Sequence, residues 1–143
     1  MALEDKKLPK DAVPDERIAA AILDKLREDK LACADGFAIA RALDVEPITV
    51  GQTADLMETR LTRCQLGLFG YPDKHGWRDS GVDGLDTPDG LEAAIVEAGD
   101  PEGRITCAEM WRLAGEFGIS RMQMGWVVDQ LGVKIISCQL GAF

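Results

Sequence analysis

The chain has 143 residues, 46% apolar and 29% charged, a globular balance that bounds it to one domain or two very small ones. Its net charge is −9 and no section of it is basic, which counts against nucleic acid as a partner, since that binding leans on cations that displace counterions from phosphates. No apolar run approaches the roughly 20 residues that span a bilayer. The opening MALEDKKLPKDAVPDER lacks the apolar stretch of a secretory leader, so a cytoplasmic protein with no membrane association is expected.

Residues 1–13 read as a flexible, polar N-terminal arm. A first helix is predicted from about Asp15 to Asp29, because Ile18, Ala21, Ile22 and Leu26 recur at helical spacing. Lys30-Leu31-Ala32 is a short extended stretch leading into a second helix. Asp44-Val45-Glu46 is a turn, and Pro47 suits the first position of a third helix. Thr59–Leu66 reads as a strand, closing a unit over residues 14–69. Residues 70–86, rich in Gly and Asp, read as a linker that Tyr71 and Trp77 tack onto the body.

The same series then recurs over residues 87–143. A helix is predicted from Thr87 and Pro88 to just before Gly99-Asp100-Pro101. Arg104-Ile105-Thr106 is extended, and Thr106-Cys107-Ala108-Glu109 is a capping box for the next helix. That helix stops at Gly118, Ser120 caps another that runs to Gly132, and the apolar, β-branched Val133–Leu140 is a strand expected to pair with Arg104–Thr106.

Laying Arg17–Phe69 on Leu91–Phe143 without a gap, at a spacing of 74, makes 13 of 53 positions identical. The matches include Cys33-Ala34 with Cys107-Ala108, Ala40 with Ala114 and Gly51 with Gly125. The longest is CQLGLF at 64–69 with CQLGAF at 138–143. Two copies are too few for a solenoid. They point instead to an intrachain pair about a pseudo-two-fold axis. The shared Gln-Leu-Gly reads either as a strand exit or as a surface where the copies meet.

Residues Met110–Asp129 resemble the helix-turn-helix family. Ala114 is the small residue where the helices cross, Gly118 the turn, Ile119 the apolar residue after it, and Met124 and Val127 the plugs of the third helix. The first copy follows with Ala40, Val45 and Val50, and departs with Asp44 at the turn and Thr53 at an apolar position. Helix before and strand after point to the winged-helix variety. The expected fold is mainly α with short β strands: two winged-helix-like three-helix units related by internal duplication. With Phe143 directly after the strand, two-stranded sheets at most are expected.

The resemblance implies that the third helix would read DNA. The residues it would use are Arg112, Arg121, Gln123 and Lys134 in the second copy and Arg60 and Arg63 beside the first. On the first copy's third helix, Thr49, Gln52 and Thr53 alternate with Asp55 and Glu58, whose charges would repel phosphate. A regulatory module that binds a protein partner is therefore read first, and a DNA-binding transcriptional regulator is the alternative. A homodimer is compatible with both. The cysteines repeat at a spacing of 31, Cys33 with Cys64 and Cys107 with Cys138. They stand as buried core thiols, as a redox pair in each unit, or as metal ligands, the last without any CxxC spacing to support it. No phosphate loop, nucleophile elbow or metalloprotease motif occurs, so neither catalysis nor a cofactor is expected.

Overall fold

The computed structural model describes residues 13–143, so the expected N-terminal arm lies, apart from Val13, outside the described residues. The chain is mainly helical with a few short strands, and it divides into two compact units. Unit 1 holds the described residues up to Cys64 together with Gln139–Phe143, and unit 2 is Gln65–Cys138. The boundaries thus differ from those of the repeat: the segment after each strand belongs to the other unit.

In unit 1, α1 (Glu16–Lys25) leads through a turn to β1 (Leu31–Ala32), α2 (Cys33–Leu43), α3 (Pro47–Leu56) and β2 (Leu61–Thr62). The Asp15 carboxylate caps α1 by accepting from the Arg17 and Ile18 amides at 2.9 and 3.1 Å. Ile18 and Ile22, one turn apart, are buried against α2 and α3. The helix stops at Lys25, short of the predicted Asp29. Arg27 and Lys30 close a tight turn by exchanging backbone hydrogen bonds, with Glu28 and Asp29 in the left-handed region. Between α2 and α3, Asp44 takes φ 54°, and the Val45 amide donates to the Ala40 carbonyl. Thr53 occupies its apolar position in the core because its hydroxyl donates to the Thr49 carbonyl at 2.9 Å, leaving no unsatisfied polar group.

In unit 2, α5 (Leu91–Ala98), β3 (Arg104–Thr106), α6 (Cys107–Phe117), α7 (Arg121–Gln130) and β4 (Lys134–Ile136) follow in the same order. Thr106 and Ser120 accept from the Glu109 and Gln123 amides and cap α6 and α7. Gly118 ends α6 at φ 66°. The start of α5 departs from expectation: Pro88 is not its first residue, because the Leu91 amide turns back to the Pro88 carbonyl and Gly90 precedes the helix at φ 84°.

The first helices are also out of step with the ungapped repeat. The buried pairs are Ile18 with Leu91 and Ile22 with Ile95, a spacing of 73, whereas from Leu31 and Ile105 onward it is 74. The extra residue lies in the turn Asp100–Arg104, where Gly103 at φ 74° lengthens what is a four-residue turn in unit 1.

The strands pair in parallel, Leu31 with Leu61 and Arg104 with Lys134, as two separate two-stranded sheets. Among the described residues no third strand joins either sheet, so neither unit has the antiparallel hairpin of a wing. The strands are shorter than predicted because Arg63 and Ser137, at equivalent positions, take φ 48° and 55° and turn the chain out of the ladder.

Residues 70–86 are not a bare linker but part of unit 2. They form α4 (Trp77–Ser80) and a 3₁₀ turn (Val82–Gly84), both packed on α7. The buried Trp77 indole donates to the Leu66 carbonyl at 2.8 Å.

Candidate functional site

The third helices, α3 and α7, are where the helix-turn-helix resemblance places the contacts. In unit 2, α7 turns Met124, Val127 and Val128 into the core, and Gln123 goes with them. Gln123 is 6% exposed, and its amide donates to the Asp86 carbonyl at 3.1 Å, so it tethers the segment before α5 rather than facing outward. That corrects its expected place among nucleic-acid contacts.

Two of the cations on α6 and α7, Arg112 and Arg121, have partners within unit 2. The Arg112 guanidinium donates to Glu109 at 2.7 Å and to Glu116 at 2.6 Å, one turn to either side on α6. These hydrogen bonds, Glu109 first and then Glu116, hold its pKa above the ordinary arginine value despite some desolvation. Arg121 stacks its guanidinium 3.5 Å from the centre of the Trp111 ring and donates to the Gln65 side chain at 2.8 Å. Lys134 is exposed on β4.

In unit 1, Arg60 and Arg63 flank β2 and are exposed, α3 presents Gln52 to solvent, and Glu58, expected on that helix, is exposed in the turn after it at φ 55°. Thr53 and Asp55 are buried, so the outward face expected of them is not formed. Four of the six proposed contacts therefore fall in unit 2 and two in unit 1. Of the four, one is buried and two are engaged by neighbouring side chains.

The four cysteines are thiols, three buried and Cys138 half-buried. Cys33 and Cys107 open α2 and α6, and Cys64 and Cys138 follow β2 and β4. The parallel registers, Ala32 with Thr62 and Thr106 with Ile136, bring both thiols of a unit to the same end of its ladder. Among the described residues no group of three or more His, Cys, Asp or Glu side chains is placed to hold a metal ion.

The repeated Gln-Leu-Gly is a docking segment in both units. Leu140 is buried in unit 1, where its methyls lie against Gly36 and its carbonyl against Gly51 of α3. Leu66 is buried in unit 2 with its carbonyl against Gly125 of α7. At both helix glycines an added Cβ would overlap that carbonyl oxygen, far inside the 3.0 Å that real Cβ atoms respect. The signal was present in the sequence as paired identities, Gly51 with Gly125 and Leu66 with Leu140. What was missing was that each glycine serves the leucine of the other copy.

Two open hollows mark unit 2. One of about 430 Å³ is lined by Ile95, Val96, Pro101 and Val133. The other, of about 300 Å³, is lined by Asp73, Asp83, Arg78, Trp126 and His75, whose ring stacks on Trp77 at 4.1 Å. No helix among the described residues is long and apolar enough to cross a membrane. Compared with known proteins, the chain matches no family model, no curated protein and no solved structure.

Proposed function

We propose that the chain is a non-enzymatic binding module, a duplicated helix-turn-helix unit without a wing, that engages a protein partner with a basic surface. The observation that carries this reading is the state of the cations around α7. Arg112 is held by two carboxylates, Arg121 by Trp111 and Gln65, and Gln123 is buried. A helix that reads DNA needs such side chains extended toward phosphates and base edges. Here Arg112 and Arg121 are engaged by neighbouring side chains at the surface, and Gln123 by a main-chain carbonyl. The net charge of −9 adds long-range repulsion toward a polyanion and attraction toward cationic proteins. The helix-turn-helix reading is supported by the shared order of elements and by the left-handed turns at Asp44 and Gly118.

The test is a titration of the full chain into labelled duplex DNA at about 50 and 200 mM salt, a range over which a phosphate-binding protein loses orders of magnitude in affinity. No saturable binding is expected. Micromolar affinity that falls steeply with salt would instead establish the DNA reading, with Arg60, Arg63 and Lys134 as the exposed cations to replace first. The positive arm is capture of a partner by the full chain. It should recover a protein of basic surface that is released as salt rises, and an acidic or salt-insensitive partner would contradict the proposal.

A further inference from the structure

The polypeptide leaves unit 1 between Cys64 and Gln65 and returns to it between Cys138 and Gln139. Both passages are preceded by a residue in the left-handed region, Arg63 at φ 48° and Ser137 at φ 55°. Neither is glycine, so each hinge holds a strained conformation that the surrounding packing must impose. Beyond each hinge, the segment docks in the same way. A leucine 1% exposed fills the core, and its carbonyl rests on a glycine in the middle of a helix, Gly51 or Gly125. The receiving surface reads a main chain and one leucine, and it does so twice, for QLGLF and for QLGAF.

Such a groove does not distinguish a segment of its own chain from the same segment of another copy. A strained hinge tips the balance toward exchange, because opening it relieves the strain while every docking contact is remade. We propose that the groove of unit 1, formed by Leu31, Gly36 and Gly51, takes residues 139–143 of a second copy of this chain, so that two copies exchange these segments reciprocally. The intramolecular segment has the advantage of a high effective concentration. The monomer therefore dominates in dilute solution, and the exchanged dimer accumulates as the protein is concentrated or transiently loosened.

The experiment uses two full-length variants. Gly51→Ala closes the groove and keeps the segment, and Leu140→Ala keeps the groove and removes the anchoring side chain. Each is expected to be monomeric alone. Mixed, loosened in moderate urea and dialysed, they should give a 1:1 heterodimer by native mass spectrometry, the intact segment of one seated in the intact groove of the other. A mixture that stays monomeric, beside a wild type that stays monomeric at every concentration, overturns the proposal. Should Gly51→Ala fail to fold, the Leu140→Ala chain is titrated with an acetylated peptide of residues 139–143. Saturable binding that stabilises the chain supports the groove, and its absence overturns it. Ser137→Gly relieves the hinge in each of the two monomers and should lower the dimerisation constant roughly a hundredfold, and an unchanged constant counts against the exchange.

Discussion

Gly125→Ala tests the docking of Leu66 most directly. The added methyl meets the Leu66 carbonyl, which is backbone and cannot rotate away as a side chain would. Segment 65–69 must therefore lift, and Leu66, 1% exposed, leaves the core. Losing a buried leucine costs about 2–5 kcal/mol. The Trp77 indole loses its acceptor as well, another 1 kcal/mol or so. Against this stands the gain of alanine over glycine inside a helix, roughly 1 kcal/mol. A net loss of about 2–5 kcal/mol remains, and in a unit of about 75 residues that lowers the midpoint of thermal unfolding by roughly 10–30 °C. The control is Gly115→Ala on α6, exposed and with nothing within 4 Å of the new methyl, expected to stabilise by up to about 1 kcal/mol. Urea unfolding followed by tryptophan fluorescence reads both. If Gly125→Ala falls within about 0.5 kcal/mol of wild type, a range normal for surface substitutions, the packing argument is wrong.

Trp77→Phe keeps most of the ring in place but removes the donor to the Leu66 carbonyl, and should cost about 1–3 kcal/mol in the same urea assay, the penalty of an unsatisfied buried acceptor. At Asp100, desolvation raises the carboxyl pKa, but hydrogen bonds from the Arg104 amide and guanidinium, the Arg104 charge and the Glu102 amide outweigh it and hold the group below its usual value. A depressed carboxyl contributes stability that is complete above the unfolded value, about 3.9, and is lost as pH falls through the lower folded value. Asp100→Asn should therefore flatten the acid limb of stability below about pH 4 while leaving its slope near neutrality unchanged. Asp44→Gly should stabilise unit 1 by about 1 kcal/mol, since the position holds φ 54° and glycine adopts it without a steric penalty. A loss on thermal unfolding would show that the aspartate side chain matters more than its backbone.

Local chemistry was legible in the sequence. Gly118, Asp44, Thr106 and Ser120 mark helix ends through hydrogen bonds spanning a few residues, and they sit where such bonds place them. Three other features were hidden for different reasons. The spacing of 73 in the first helices was masked because Ala19-Ala20-Ala21 matches Ala93-Ala94 about as well one residue out of step. The helix-turn-helix resemblance puts Gln123 on the outer face of its helix, and only the tertiary position of the Asp86 carbonyl explains its burial. Strand ends at Arg63 and Ser137 carry no residue signal, since neither type favours a positive φ. The exchange of the Gln-Leu-Gly segments was the least legible feature. Periodicity reports which residues are buried, not which unit buries them.

Although the two docked segments are nearly identical, the surfaces that receive them are not, and the difference can be tested by copying one unit into the other. Gly36 of α2 lies 3.1 and 3.3 Å, measured from an ideal Cβ, from the Leu140 methyls. The equivalent position on α6 is Met110, fully buried. In unit 1 Leu140 thus fills volume that a methionine fills in unit 2. Gly36→Met, a substitution the repeat itself offers, should overpack unit 1 and cost about 1–3 kcal/mol. Gly36→Ala needs only a small shift of a flexible side chain, and its helix gain of roughly 1 kcal/mol should leave it near neutral. The decisive measurement is the coupling with Leu140→Ala. The second substitution vacates the volume the methionine needs, so the double variant should be more stable than additivity predicts by about 1 kcal/mol or more, the interaction energy typical of residues in contact. Additive losses would mean that Gly36 and Leu140 do not compete for the same space, and the account of how unit 1 holds residues 139–143 would fall with them.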